Sequence, residues 1–355
     1  MSIVEDRVQI AIDNWAPRFI ANGIDSNDLQ QLTRTVQRWE DWSPTWNAMA
    51  ALHEKQAVDA ESQRNFESAG EHYFAASMLY HFGKFIVVKH PDQLRIGHDL
   101  TVRSYQRGLP LYEYPGERVE IPYENGRVIP AILRKPPHTP RAPLVIISPG
   151  LDSVKEELHN YGNDLLRRGI ASLAIDGPGQ GESEFDLPLR ADYEVPIRYV
   201  IDYLETRADV NASRVGMLGI SLGGFFAARA AAHEPRLKAV VMLASAYHLA
   251  PHFDRYPLLT QEAFIHRLKA GDEATAREKL KDFTLEGMTD AITCPFLVIF
   301  GRKDRLFPPE DSERMVAEVG ANAELWMFDD GNHVLNNIPY KYRPQQADWL
   351  RSVLR

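Results

Sequence analysis

The sequence predicts an α/β protein, a mostly parallel β-sheet with helices on both faces, preceded by an all-helical N-terminal domain. Three observations carry this expectation. Over roughly the first 110 residues, apolar side chains return at three- and four-residue steps, the period of a helix. From about residue 118, short continuous apolar runs alternate with helical stretches, as in strands covered on both faces. Between them, "GLPLYEYPGE" at 108–117 breaks the pattern. The expected division is a helical domain over residues 1–112 and an α/β domain over 113–355. A chain of 355 residues is long enough for two cores.

In the helical part, the apolar spacing predicts helices over about 4–21, 27–40, 45–63 and 65–88. "DSNDLQQL" offers Asp25 or Ser26 as an N-cap ahead of Leu29, Leu32 and Val36. Trp15, Trp39, Trp42 and Trp46 supply four of the chain's six tryptophans, so this part carries its own aromatic core. "FESAGEHYFAASMLYHFGKFIVV" (Phe66–Val88) is apolar almost all round and predicts a helix buried on most sides. Pro91 stops helix soon after it, and "DQLRIGHDLTVRSYQR" reads as one more helical stretch.

In the second part, "RVEIPYENGRVIPAILRKP" holds two β-like runs around Asn125-Gly126, a strong hairpin signal, and predicts an antiparallel edge. The strands of the main sheet are then "APLVIISPG", "IASLAIDGPG", "RVGMLGIS", "LKAVVMLASA", "CPFLVIFGRKD" and "AELWMFDDGNH". The roughly 45 residues between "LASA" and "CPFLV" exceed an ordinary connection and predict a helical excursion over about 247–290. No repeat recurs at a 30–50-residue period.

Composition narrows the function. The chain is 44% hydrophobic and 25% charged, as in ordinary globular proteins. A formal net charge of −9 with no Lys/Arg stripe argues against nucleic acid or anionic lipid as partner. "MSIVEDRVQIAIDNW" has acids where a secretory signal has a basic region, and no apolar run nears the ~18 residues of a membrane span. The single cysteine, Cys294, excludes an internal disulfide and a multi-cysteine metal site; before Pro295 at a strand start it reads as a packed thiol. The expectation is a cytoplasmic protein with a small-molecule substrate and no cofactor or metal. A homodimer is the default assembly.

The chemistry begins at "LGISLGG". Gly219-Ile220-Ser221-Leu222-Gly223 matches the Gly-x-Ser-x-Gly nucleophile elbow, with an apolar strand entering and "LGGFFAARAAAH" leaving as a helix. Such a turn strains the serine backbone and needs tiny neighbours, which the glycines provide. It exposes Oγ and aims the Leu222 N–H, at a helix N-terminus, into the same space. A serine hydroxyl needs a base, and "FDDGNHV" offers His333 directly after the last strand. His72 and His81 on the buried helix, His138 in a proline-rich turn and His233 at a helix end have ordinary explanations. The orienting carboxylate is expected from Asp304 in "LVIFGRKDRLFPP", with Pro308 placed to begin the next helix. Asp329 and Asp330 sit too near His333 and read as turn formers. The second oxyanion donor is expected after "LVIIS", where Gly150 permits close approach and the Leu151 N–H partners that of Leu222. Ser153 with Glu156 reads as a capping box that starts the next helix; Asp152 and Lys155 read as structural. "DGPGQGES" lacks the spacing of a phosphate loop and reads as a tight strand exit beside the site.

With Ser221, Asp304 and His333 in that order, the chain resembles the α/β-hydrolase superfamily. "PGLDSVKEE", "DGPGQGE" and "GISLGG" make it similar, more narrowly, to the group that holds the FrsA-type esterases, the fungal polyketide-shortening pigment hydrolases and 2,6-dihydroxypseudooxynicotine hydrolase. The resemblance spans nearly the whole chain. It implies an α/β-hydrolase fold with the N-terminal helical domain as a cap, a Ser221–His333–Asp304 triad, and an oxyanion hole of the Leu151 and Leu222 N–H groups. Several members of the group hydrolyse carbon–carbon bonds in β-dicarbonyl-like substrates. One departure is that the oxyanion strand ends Ser-Pro-Gly where Gly-Gly is expected.

The function expected from the sequence is thus a serine hydrolase working through an acyl-enzyme on a C–C bond next to a carbonyl, in a β-diketone, polyketide-like or aromatic ketone. Tyr247, His248, His252 and Asp254 are candidates for handling the leaving carbanion. Tyr73 and Tyr80, with Phe74 and Phe85, are candidates to line an apolar pocket. Two alternatives stand beside it: a carboxylesterase, amidase or lactonase with the same triad, and a non-hydrolytic binding protein or lyase on the same fold.

Overall fold

The computed structural model describes residues 4–355; residues 1–3 of the expected first domain lie outside the described residues. Two compact units emerge, Met1–Glu117 and Arg118–Arg355, dividing within a few residues of the break in the sequence pattern.

The first unit is helical: α1 (Asp6–Ala21), α2 (Ser26–Thr35), α3 (Trp42–Ser62), α4 (Phe66–Lys84) and α5 (Pro91–Gly108). Asp25 caps α2, its Oδ1 accepting the Asn27 N–H at 2.7 Å. The helix expected to reach about residue 40 stops at Thr35, because Val36 is extended and the Trp39 N–H donates instead to Glu5 Oε2 at 2.6 Å. That contact comes from another helix terminus, so local periodicity does not encode it. Likewise α4 ends at Lys84 rather than Val88; residues 85–88 stay buried but close a turn through the bond from Val87 N–H to Lys84 O at 3.1 Å. Phe19 packs on Phe82 at 4.8 Å and on Trp46 at 5.1 Å between ring centres, and Trp42 lies 5.3 Å from Trp46. The early tryptophans do form an aromatic core.

The second unit comprises β1 (Gly116–Pro122), β2 (Val128–Arg134), β3 (Ala142–Ser148), α6 (His159–Leu166), β4 (Ala171–Ile175), α7 (Glu194–Glu205), β5 (Val210–Ile220) and α8 (Leu222–His233). It continues with β6 (Leu237–Leu243), α9 (Leu258–Arg267), α10 (Glu273–Leu280), β7 (Phe296–Gly301), α11 (Pro309–Val319), β8 (Ala323–Phe328) and α12 (Pro339–Val353). The β1–β2 connection turns at Asn125 and Gly126, with φ of 58° and 73°; both values are left-handed, as an Asn-Gly hairpin turn requires.

The sheet order is β1-β2-β4-β3-β5-β6-β7-β8, with β2 antiparallel to β4 and the strands from β4 to β8 in the order parallel to their neighbours. Side chains alternate between two cores, as the pleat dictates. Leu144, Ile146, Met217 and Met242 pack with α7, α8 and α11 on one face; Val145, Ile147, Leu218 and Leu243 pack with α6 and α12 on the other. The excursion after β6 consists of α9 and α10 with 3-10 turns at Ala250–Arg255 and Thr289–Ala291. Parallel strands place the loops after β3, β5, β7 and β8 at one edge, where such sheets build their sites. No helix among the described residues is long and apolar enough to cross a membrane.

Candidate active site

Ser221 stands between the last residue of β5 and the first of α8, with φ 55° and ψ −122°. A non-glycine residue held at positive φ stores strain of order 1–3 kcal/mol and persists only where its surroundings over-determine it. Here the Ser221 N–H donates to Leu243 O at 2.8 Å and its carbonyl accepts the Gly224 N–H at 2.8 Å. The two flanking glycines are required by crowding. A Cβ on Gly219 would lie 1.9 Å from Gly223 O, and one on Gly223 would lie 2.3 Å from Ser148 O.

His333 follows β8 and Asp304 follows β7. Their loops are joined by backbone bonds, from Arg302 N–H to Phe328 O at 2.9 Å and from Lys303 N–H to Gly331 O at 2.9 Å. His333 Nε2 sits 2.9 Å from Ser221 Oγ, and Nδ1 sits 2.7 Å from Asp304 Oδ2. Asp304 Oδ1 accepts the N–H groups of Leu306 at 2.8 Å and Phe307 at 3.2 Å, which locks the carboxylate in one orientation. The network is satisfied with the ring proton on Nδ1, leaving Nε2 as acceptor for the hydroxyl. Phe307 meets the His333 ring edge-on at 5.5 Å. The turn-forming acids pair elsewhere: Asp329 with Arg302 at 2.9 Å, Asp330 with Lys341 at 2.5 Å.

The turn after β3 lies against the elbow. A Cβ on Gly150 would fall 3.3 Å from Ser221 Cβ and 3.7 Å from Ser221 Oγ, so the turn approaches the hydroxyl closely at Gly150, one residue before Leu151. Leu222 opens α8, where the first N–H groups have no partner inside the helix and the dipole favours negative charge. The expected capping box is not formed. Ser153 Oγ donates to Glu157 Oε2 at 2.5 Å, and the segment Lys155–Leu158 is a 3-10 turn led by Val154. Glu156 is drawn instead to Lys155 Nζ, at 2.7 Å, which explains the miss.

Of the remaining residues singled out from the sequence, Tyr247 and His252 meet on one carboxylate, whose Oδ2, that of Asp311, accepts the Tyr247 N–H at 3.0 Å. The Tyr247 hydroxyl donates to Glu318 at 2.7 Å under the Arg314 guanidinium, and burial first, then that bond, pushes its phenol up to about 12. His248 bridges to Thr284, with burial lowering its imidazole pKa. Asp254 is exposed and paired with Arg277. Tyr73 donates to Glu61 at 2.8 Å and Tyr80 to Glu54 at 3.0 Å, so both hydroxyls are engaged inside the helical unit. His252 differs: its Nε2 lies 3.0 Å from Asp311 Oδ2, and its ring meets Phe307 at 6.1 Å, on the same phenylalanine that His333 meets. Sequence reasoning missed Phe307 and Asp311; the apolar "LFPP" after Asp304 and an acid in the first turn of α11 were the available signals. Cys294 is a half-buried thiol pushed up to about 11 by burial.

Comparison with known proteins identifies the fold and family of the chain. The FrsA-like esterase family model matches residues 18–355. The 2,6-dihydropseudooxynicotine hydrolase of Paenarthrobacter nicotinovorans is 30% identical over 346 residues, spanning 96% of this chain and 92% of the relative. The alpha/beta hydrolase xenA of Xenoacremonium sinensis is 30% identical over 87% of both chains. Among solved structures, 2,6-dihydroxy-pseudo-oxynicotine hydrolase superposes with a TM-score of 0.89 at 30% identity, over 96% of both chains. With an elbow serine after β5, a histidine after β8, and a family match across nearly all of its length, the chain belongs to the FrsA-like esterase family of α/β hydrolases.

Proposed function

We propose that the chain is a serine hydrolase that works through an acyl-enzyme and cleaves a C–C bond next to a carbonyl. The observation that carries it is the Ser221 Oγ–His333 Nε2 distance of 2.9 Å with Asp304 on the far side of the ring. His333 takes the Ser221 proton as Oγ attacks the carbonyl carbon, and the N–H groups of Leu151 and Leu222 receive the charge on its oxygen. The C–C bond breaks, leaving the acyl group on Ser221 and the electron pair on a carbon stabilised as an enolate or electron-rich aryl. That carbon must take a proton. We assign the donor to His252, held by Asp311 and recharged from solvent. His333 then releases the serine proton to solvent, takes a proton from the water that attacks the acyl carbonyl, and returns it to Ser221 Oγ as the acid leaves.

The His252–Asp311 pair favours ketone over ester cleavage, because an alkoxide leaving group needs no second acid. The C–C chemistry of the resembling group points the same way. The role of the helical unit as a cap rests on that resemblance, and the candidacy of Tyr73 and Tyr80 for the pocket rests on the aromatic stock of Phe66–Val88. An ester, amide or lactone substrate remains the second reading, since the triad alone serves it equally well.

A fluorophosphonate probe together with paired assays on p-nitrophenyl esters and 1,3-diketones tests the proposal. Labelling at Ser221 and diketone turnover are expected, both abolished in Ser221→Ala. An unlabelled Ser221 with an active Ser221→Ala variant refutes the acyl-enzyme, and fast ester turnover without diketone cleavage refutes the C–C assignment.

A further inference from the structure

We propose that Gln180 is a positioning residue for the oxyanion hole, the centre of a buried clamp with Tyr193, Asp176 and Lys155 that aims the Leu151 N–H. This rests on the acyl-enzyme reading above.

The Gln180 side chain is fully buried, and its Nε2 donates to two consecutive carbonyls, Pro149 O at 2.6 Å and Gly150 O at 3.1 Å. Its Oε1 accepts the Tyr193 hydroxyl at 2.7 Å. The hydroxyl and the carbonyls together leave the amide one orientation, nitrogen toward the turn. Gly150 C=O and Leu151 N–H belong to one planar trans peptide, so they point in opposite directions. Holding the carbonyl toward Gln180 therefore turns the N–H away from it. The α-carbon of Gly150 already backs onto Ser221, so a rotation of this one peptide would move the donor off the reacting oxygen.

The far end of the same loop is tied to the same segment. Asp176 accepts Lys155 N–H on Oδ1 at 2.8 Å, and Lys155 Nζ at 2.9 Å and Glu182 N–H at 3.0 Å on Oδ2. Lys155 Nζ also lies 2.7 Å from Glu156 and 2.5 Å from Glu182, whose other oxygen takes Arg118 Nη2 at 2.9 Å. Burial alone would depress the Lys155 ammonium; the carboxylates outweigh it and hold the lysine charged. Buried ion clusters of this kind contribute little net stability compared with apolar packing, and their better-supported use is to specify one geometry.

This also gives the glycines of "DGPGQGE" a purpose. A Cβ on Gly177 would lie 1.9 Å from the Tyr193 hydroxyl, and one on Gly181 2.0 Å from Asp176 Oδ2. Side chains there would push Tyr193 off Gln180 and Asp176 off Lys155. The motif that resembles a phosphate loop is shaped around the clamp.

The test compares Gln180→Met, which keeps volume and removes both donors, with Tyr193→Phe, which keeps the stacking on Phe226 at 3.8 Å and frees the amide to rotate. The readouts are kcat and KM on a p-nitrophenyl ester, the rate of Ser221 phosphonylation by a fluorophosphonate, and Ki for a trifluoromethyl ketone that closes on Ser221 as an oxyanion. Displacement of an oxyanion donor predicts losses of about 10–100-fold in kcat and in phosphonylation rate for Gln180→Met, with KM within about threefold. Ki for the ketone should rise by the same factor, and Tyr193→Phe should lose about 3–10-fold in each. The clamp is refuted if folded Gln180→Met retains kcat and Ki. If that variant does not fold, an unchanged kcat and Ki in Tyr193→Phe refutes it. An active Ser221→Ala refutes the acyl-enzyme and the clamp together. Labelled Ser221 with wild-type rates in both clamp variants refutes the clamp alone.

Discussion

Asp304 and His333 meet at 2.7 Å although they follow different strands, β7 and β8. Their meeting depends on close backbone approach. A Cβ on Gly301 would lie 2.4 Å from Gly331 O, and the Lys303 N–H donates to that same oxygen at 2.9 Å. With the two loops joined, the carboxylate has one place to sit, and Leu306 and Phe307 hold it there.

Asp304→Asn should test what that carboxylate does. An amide can donate to Nδ1 and so favour the wrong ring tautomer, with the proton on Nε2 facing Ser221. A fall in kcat of about 10²–10⁴ is expected, with little change in KM or melting temperature. Steady-state kinetics beside thermal unfolding check it; a loss below tenfold would mean that His333 needs no orienting partner.

His252→Gln separates the two substrate classes. If His252 donates the proton to the departing carbon, diketone turnover should fall about 10²-fold or more, while ester turnover stays within about threefold. Equal losses on both substrates would reduce His252 to a packing residue between Asp311 and Phe307.

The buried carboxyl of Glu156 should leave a trace in stability against pH. Burial raises its pKa to about 7 from 4.5, with Lys155 acting in the opposite direction. When Asp176, Glu156 and Glu182 are all ionised they outnumber Lys155 and Arg118, so the extra proton is welcome. Between pH 4.5 and about 7 the folded state binds more protons than the unfolded chain, and stability falls as pH rises through that window. Glu156→Gln removes this term. Its melting temperature relative to the native chain should rise from pH 5 to pH 8, by the equivalent of about 1–3 kcal/mol. A difference that does not move with pH would contradict the assignment.

Tyr73→Phe and Tyr80→Phe each remove a phenol already bonded to a glutamate, Glu61 and Glu54. Each should lower stability by about 1 kcal/mol and leave kcat within twofold, as measured by chemical denaturation and turnover. A large change in KM would instead place that hydroxyl on the substrate.

Much of this protein could be read directly from its residues. The elbow serine, the hairpin at Asn125-Gly126, the Asp25 cap and the alternation of apolar strands and helices are local signals, each carried by a few adjacent side chains whose conformational preferences need no distant partner. Asp304 and His333 were legible because strand ends are local too, and the topology brings those ends to one edge. What only the tertiary structure decided were contacts between segments far apart in sequence. Glu5 ends α2 at Thr35, Lys155 draws Glu156 away from a capping box, Phe307 packs against both His252 and His333, and the Gln180 amide bonds the turn before Leu151. Local preference is worth a few tenths of a kcal/mol per residue, whereas a buried charge or amide left without its partner costs several times that. Where the two compete, the long-range partner prevails, and no window of sequence contains it.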